Sequence, residues 1–379
     1  MLVENGQGLM LDRRRFLTLT AGNVSATALL GLGMHSAFAA GESVRWVSPR
    51  GTIEVLDDYP YWVAKKYGYF GDIQTTLEPG PSDATATVKL VDQKQSDMGY
   101  PSPGVFSLGL EQGIPLVSVF HMGGSDVFDI AFRNGEKAKS VKGLEGKTIL
   151  LGSAGWQSIC DPMLYAAGVD VKTIKYVEAG WPTWGTALKA GKGDAALCWE
   201  GLRAQWKGQG FDFDYILGKD YSKLPANSFI IRKADFEDPS QQKLSARYLQ
   251  GWAAGLEFGK NNPRAATQIV MMQFPGLASQ MTPTVATESM MQLANVFGGR
   301  MDERKKWGYH LPSSWELFFA TAQKIGQISN PIKFEDVCKN DLIDQANAFD
   351  KAKVQADAQG FALSPDYQAV DVKAIQTSL

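Results

Sequence analysis

KTILLGSAGWQSICDPMLYAAGVDVKTIKYVEAGWPTWGTALKAGKGDAALCWE, residues 147–200, decides the fold. Apolar runs of strand length at 148–151, 173–177 and 195–199 are separated by stretches of helical spacing that open near Trp156 and Thr183. Two parallel neighbouring strands need a crossover long enough to hold a helix, so this alternation predicts α/β architecture with largely parallel strands. The pattern continues outward in both directions. Upstream, runs at 44–47, 73–77, 98–100 and 115–120 alternate with helical segments at 59–67 and 84–91 and with one that starts at Ser102-Pro103. Asp57 or Asp58 opens the helix at 59–67 and Gly68 closes it, while Ser82 caps the next. The segment 126–133 reads as a crossing into a second α/β set, which also has a helix near Leu202 and a strand at 215–217; 228–231 reads as a return strand. From Pro239 onward the spacing is helical, at 241–260, 263–273, 283–297 and 313–328. The expected organisation is therefore two lobes, each a mostly parallel sheet flanked by helices. Residues 40–129 and 229–350 form the first lobe with its helical C-terminal extension, and 130–228 form the second. The tail 351–379 has weak periodicity and is expected to be loosely ordered.

The chain has 379 residues, 38 Lys+Arg against 40 Asp+Glu, three His, three Cys and 44% apolar residues. That composition excludes general disorder, and a net charge of −2 supplies no positive field for a nucleic-acid backbone. Three cysteines make no dense disulfide framework; Cys198, at a strand end, reads as a core thiol, and a bridge from Cys160 to Cys198 stays open. No uninterrupted apolar run reaches the roughly 18 residues of a membrane span.

The N-terminus reads as an address. DRRRFLT, residues 12–18, runs into an apolar stretch diluted by Thr18, Thr20, Gly22, Asn23, Ser25 and Thr27. It resembles a twin-arginine export signal, with Arg13 and Arg14 as the pair and Phe16 and Leu17 as the apolar positions. Ala37, Phe38 and Ala39 give a small-x-small cleavage site, so 1–39 is expected to be removed and the remainder to reside in the periplasm. Without Glu4, Asp12 and the three arginines the balance is 35 basic against 38 acidic residues, so the charge argument is unchanged.

Catalytic and cofactor motifs are missing. There is no G-x-G-x-x-G after a strand, no G-x-x-x-x-G-K-[ST], no G-x-S-x-G, no H-E-x-x-H and no C-x-x-C. After the signal only His121 and His310 remain, too few for a histidine-rich metal site, and His121 reads as a structural histidine. No catalytic residue, metal or cofactor is expected. The positive signal lies in the loops after the strands, because ligands of open α/β sheets sit beyond the strand carboxyl ends. These loops contribute Arg50, Ser82 and Ser102 from the first lobe, then Ser153, Trp156, Gln157, Trp181, Thr183, Trp184, Trp199 and Glu200 from the second. Tyr59 and Tyr61 are expected to add aromatic faces from their helix. The competing reading is that the rings pack the lobe cores. That reading is preferred for Trp62, whereas Trp181 and Trp184, in a Gly/Pro-containing loop, are expected at the cleft. Ser82 and Ser102 serve equally as helix caps or ligand contacts; Glu200, counted among the ligand contacts, has the acid or base of a reaction as one reading, and a hydrogen-bond acceptor or helix N-terminal charge as the preferred one.

Four segments in order carry a family resemblance. YPYWVAKKYGYF at 59–70 resembles the first helix of nitrate/sulfonate/taurine-type substrate-binding proteins through Pro60, Ala64, Gly68, Tyr69 and Phe70. LVDQKQSDMGY at 90–100, VKGLEGKTILLGSAG at 141–155 and ALKAGKGDAALCWE at 187–200 are similar to later family elements, the last through Leu188, Gly191, Asp194 and Ala195. The resemblance spans about residues 44–235 and extends to binding proteins for thiamine pyrimidine precursors. It implies a two-lobed periplasmic-binding-protein-like fold and the solute-binding component of an ABC importer. Such a protein closes on a small solute by hinge motion and works, as a monomer, with an inner-membrane ABC permease and its ATPase. The tryptophan-rich loops favour an organic solute with an aromatic body, and a sulfonate or carboxylate fits the family. Two alternatives stay open: an enzyme of the pyrimidine-precursor type on the same fold, for which a clustered Cys/His site is missing, and the ligand-binding module of a periplasmic sensor.

Overall fold

The computed structural model describes residues 41–81 and 85–379, so the export-signal reading of 1–39 and the expected cap at Ser82 lie outside the described residues. In chain order the strands are β1 (Ser43–Val47), β2 (Gln74–Glu78), β3 (Met98–Gly99), β4 (Leu116–His121), β5 (Phe128–Arg133), β6 (Thr148–Leu151), β7 (Lys175–Glu178), β8 (Ala195–Trp199), β9 (Phe213–Ile216) and β10 (Ser228–Arg232). They form two five-stranded sheets, in the orders β2-β1-β3-β10-β4 and β7-β6-β8-β5-β9. In each sheet one strand is reversed. β10 runs antiparallel to β3 and β4, and β5 runs antiparallel to β8 and β9, whereas the β1–β2, β1–β3, β6–β7 and β6–β8 pairs are parallel. The chain crosses between the sheets just ahead of these two strands: 228–231 is the expected return strand, whereas 126–133, expected as a crossing, is largely the strand β5 itself. β4, LVSVFH, is buried at every position because helices cover both sheet faces.

The main helices are α1 (Tyr59–Tyr67), α2 (Ala86–Asp92), α3 (Pro103–Glu111), α4 (Gln157–Ala166), α5 (Trp184–Lys189), α6 (Leu202–Gly208), α7 (Pro239–Asn261), α8 (Pro263–Gln273), α9 (Pro283–Phe297), α10 (Pro312–Lys324), α11 (Lys351–Gln359) and α12 (Val372–Ser378). Proline at the first position and a side-chain oxygen at the cap open several of them, for instance Asp238 on α7 and Thr282 on α9. α7 crosses α1 closely because Gly255 lacks a side chain; a Cβ there would sit 2.1 Å from the Pro60 carbonyl oxygen. Around that crossing the first core gathers Trp46, Tyr61, Phe229 and Trp252, with the Trp252 ring 5.2 Å from Trp46 and 4.7 Å from Phe229.

The tail is docked rather than loose. α11 buries Val354 and Ala358 in the first core, and the Tyr69 hydroxyl donates to Asp357 at 2.9 Å. Its periodicity is weak in the sequence because an i, i+4 pair is all it buries, too few apolar positions to register as a stripe. Cys160, Cys198 and Cys338 are all buried free thiols.

His121, the last residue of β4, packs against His310, with ring centroids 5.8 Å apart and both side chains buried. Asn340 accepts from His310 Nδ1 at 3.1 Å, so the proton is on Nδ1 and the Ser118 hydroxyl donates to Nε2 at 2.6 Å. Burial pushes His310 down to about 3, against the hydrogen bond to Asn340, and Arg304 pushes it the same way as burial. The unfolded chain therefore takes this proton first, and folding weakens as pH falls from 6.5 toward 3. Between pH 7 and pH 5, wild-type protein is expected to lose about 2 kcal/mol more stability than His310→Gln, measured by denaturant melts of both proteins. Parallel pH profiles would remove the histidine from this account.

Candidate functional site

The site begins with an arginine held between two carboxylates. Arg50 follows β1, with its backbone N–H bonded to the Ser48 hydroxyl at 3.2 Å. Its Nη2 donates to both Asp58 oxygens at 2.6 and 2.7 Å, and Nη1 lies 3.5 Å from Asp57 Oδ1. Asp58 occupies the N-cap of α1, yet its side chain makes no cap hydrogen bond. The sequence offered it as a helix opener; its oxygens are instead committed to the guanidinium. Burial alone would push Arg50 down, but Asp58 and Asp57 outweigh it and hold the guanidinium above its ordinary value. Burial pushes the Asp58 carboxyl up, with Arg50 opposing.

A cavity opens above this triad, lined from both sheets. Arg50, Asp57, Tyr100, Ser102 and Asn227 face it from the first sheet's loops, and Phe128, Trp156, Leu197 and Trp199 from the second. Leu293 and Phe297 of α9 close one side. The geometry is that of strand ends. Arg50, Tyr100, Trp156 and Trp199 lie at or beyond the carboxyl ends of β1, β3, β6 and β8, while the reversed strands β5 and β10 begin at this level with Phe128 and, one residue before Ser228, Asn227. The free volume is about 80 Å³. That is smaller than the apolar cavity of about 150 Å³ that holds a benzene ring, so an aromatic guest needs the walls to part.

Ser102 caps α3, accepting from Val105 N at 3.3 Å, and lines the cavity, so its two expected roles meet at one residue. Asn227 Nδ2 donates to the Tyr100 carbonyl at 3.0 Å, which orients the amide and leaves Oδ1 buried without a partner among the described residues. Burial pushes the Tyr100 hydroxyl up, Arg50 opposing.

The tryptophans divide between wall and core. Trp156 and Trp199 line the cavity edge to face, with centroids 5.7 Å apart at 86°. Trp181 is 39% exposed and stacks on the outer side of Trp199, at 5.3 Å and 13°. Trp184 does not reach the cleft: it is 1% exposed, donates its indole N–H to the Leu197 carbonyl at 2.9 Å and packs against Trp206. It opens α5, and the first turn of that helix faces the sheet, which the Gly/Pro content of the loop concealed.

Other expected contacts also lie elsewhere. Tyr61 is fully buried, its hydroxyl paired with Thr75 Oγ1 at 3.1 Å, and Tyr59 packs on Phe297 in the first core. Both are covered by α7, Tyr59 against Gly259 and Tyr61 against Trp252. Ser153 is half-buried outside the cavity wall, exposed Gln157 donates to Asp161, and exposed Thr183 donates to the Ala179 carbonyl. Glu200 is fully buried, bonded by Arg203 at 2.7 Å and 3.3 Å from Lys219 Nζ, with Asp129 also within 3.9 Å of Arg203. It belongs to an ion cluster beneath β5, not to the cavity. Sequence reasoning missed Asp57, Tyr100, Phe128, Asn227, Leu293 and Phe297. The loop positions of Tyr100 and Asn227 at strand ends were visible signals; those of Leu293 and Phe297, on a distant helix, were not.

The chain belongs to the NMT1/THI5-like family, whose model matches residues 57–266. No curated protein matches. Among solved structures, the ligand-binding component of an ABC-type import system from Staphylococcus aureus, with zinc bound, is 12% identical at a TM-score of 0.59, over 80% of this chain and 99% of that one. The periplasmic nitrate-binding protein NrtA from Synechocystis PCC 6803 is 12% identical at 0.58, over 85% and 98%. The alkanesulfonate-binding protein SsuA from Xanthomonas axonopodis pv. citri, bound to MOPS, is 12% identical at 0.53, over 66% and 83%. At such identities they share the fold, and the two-lobed periplasmic-binding-protein-like reading holds.

Trp184→Ala is expected to cost about 3–5 kcal/mol of stability, as large-to-small core changes do, measured by denaturant unfolding. Trp199→Ala, at the half-buried cavity wall, is expected to cost less than half as much. Equal costs would return Trp184 to the cleft reading.

Proposed function

We propose that the protein is the solute-binding component of an ABC-type importer. It is exported behind the twin-arginine-type signal at 1–39, acts as a periplasmic monomer and delivers a small organic solute to an inner-membrane permease with its ATPase. The lobes are 40–129 with 229–350, and 130–228. The observation that carries this reading is the cavity itself, whose wall is drawn from both sheets at their strand ends, so that a guest contacts both lobes. Family membership and the binding proteins that share the fold support it.

Chemistry has little to work with in this cavity. The three thiols are buried, Cys160 and Cys198 are pushed up by that burial, and none lines the wall. His121, at the end of β4, and His310 are buried and do not line the wall. A solute that binds the closed form more tightly than the open one shifts the balance toward closure, and that is all a carrier needs. Several contacts join the lobes, two of them close to the cavity. α3 meets α4 where Gly104 faces the Ser158 carbonyl, and Gln292 Oε1 of α9 accepts from Gly201 N and Ala204 N at 3.2 and 3.3 Å.

Native mass spectrometry of gently purified protein is expected to show a co-purified small molecule whose removal lowers Tm and whose return restores it. Turnover of that molecule by the purified protein would replace the carrier by an enzyme. A Cβ at Gly104 would lie 2.2 Å from the Ser158 carbonyl oxygen, so Gly104→Val is expected to wedge the lobes apart. Its radius of gyration in solution scattering should exceed that of wild type, with solute affinity at least tenfold weaker; an unchanged radius with unchanged affinity would contradict closure at this contact.

A further inference from the structure

The N-terminus of α6 has no cap of its own. Gly201 occupies the capping position without a side chain, so the first N–H groups of the helix lack a local partner. A residue across the cleft supplies it. Gln292 Oε1 of α9 accepts from Gly201 N at 3.2 Å and from Ala204 N at 3.3 Å. One turn earlier on α9, the Ser289 hydroxyl donates to the Gly201 carbonyl at 2.8 Å and accepts from Gln205 Nε2 at 3.0 Å. Gly201 itself has a φ of 92°, which favours glycine, and a Cβ there would lie 2.8 Å from Leu293 Cγ. Ser289, Gln292, Leu293 and Phe297 fall on one face of α9, and the last two line the cavity.

The far side of α9 is pinned by α12. Met291 lies nearly opposite that face and forms a small buried cluster with Val370 and Ile375, against which Val372 and Leu379 pack. Asp371 caps α12 through the N–H groups of Lys373 and Ala374, both at 3.0 Å. Beyond α12 the chain reaches the second sheet's side: Lys219 Nζ donates to the Leu379 carbonyl at 2.7 Å and lies 3.3 Å from Glu200 Oε1. Glu200 is fully buried and directly precedes Gly201. Two routes, one through α9 and one through α12, therefore end on the same turn at 200–205. Parting the lobes here strips the cap from α6 and one partner from Lys219, and unpaired polar groups oppose that step.

We propose that α9 and α12 form a clasp that holds the lobes closed with or without solute, and that residues 200–205 are its catch. This rests on the hinge-closure reading above. A closed form favoured in the empty protein admits solute only during brief openings and, once solute is inside, releases it slowly.

Solute-stripped full chain tests the clasp through amide hydrogen exchange at 201–205 and the radius of gyration in solution scattering. Ile375→Asp alters α12 on the side of α9 away from the catch, so a tail that merely docks would leave those amides unchanged. The clasp predicts that they exchange at least fivefold faster than in wild type and that the radius grows. Lys219→Met is expected to act in the same way. If Lys219→Met folds poorly, Ile375→Asp stands without it, because Ile375 lies outside the ion cluster. A folded Ile375→Asp with a smaller acceleration, or with an unchanged radius, overturns the clasp. If Gly104→Val still enlarges the radius in that case, hinge closure survives; if it does not, closure falls as well.

Discussion

The cleft depends on two reversed strands. β5 and β10 each carry the chain out of one sheet and into an interior position of the other, antiparallel to their neighbours. Because they run backwards, their first residues meet the last residues of the parallel strands, and Phe128 pairs directly with Trp199. One level of the molecule therefore collects loop residues from both sheets. The crossing at β5 is anchored electrically: Asp129 accepts from Gly218 N at 2.9 Å and shares Arg203 with Glu200. Burial, with the charge of Glu200, pushes the Asp129 carboxyl well up, so the cluster relies on its cations to stay intact.

Arg50 has the corresponding role on the first sheet. A buried guanidinium with two carboxylates fixes the loop after β1 against the start of α1, and the cavity floor is the result. The arrangement couples a helix terminus to a strand terminus through charge-assisted bonds, which are shorter and stronger than neutral ones. It also explains why Asp58 leaves the ordinary work of capping undone. The aromatic half of the wall is backed in a different way. Trp181, Trp184 and Trp199 form a triangle of near-parallel rings, 4.8, 5.3 and 5.7 Å apart, so the ring on the cavity wall touches both one in the core and one open to solvent.

Most of the fold was legible because strand and helix periods differ and the alternation is regular. The reversed direction of β5 and β10 was not, since period-2 patterning carries no polarity. Burial on a helix was also harder to read than its existence. Tyr59 and Tyr61 look like a polar-tipped pair near the cleft, yet α7 covers both rings, and the covering helix lies some 180 residues downstream. Trp184 illustrates the same limit: a loop rich in Gly and Pro signalled exposure, but the ring belongs to the first turn of a sheet-packed helix. The tail after Lys351 shows the converse, since two small buried side chains suffice to dock a helix whose sequence has hardly any stripe. Within the site, residues at strand ends were recoverable from strand assignments. Leu293, Phe297 and the pairing of Asp57 with Arg50 needed the tertiary structure.

The central claim is that one small solute is gripped by both sheets at once. Hydrogen–deuterium exchange of the full chain, with and without the small-molecule filtrate of the cells that make it, tests this most directly. The account predicts slower exchange on both sides of the cleft together, around Tyr100 to Val105 and Asn227 on one side and Trp156 to Ile159 and Leu197 to Gly201 on the other. Protection confined to one sheet, or appearing only away from these segments, would contradict it.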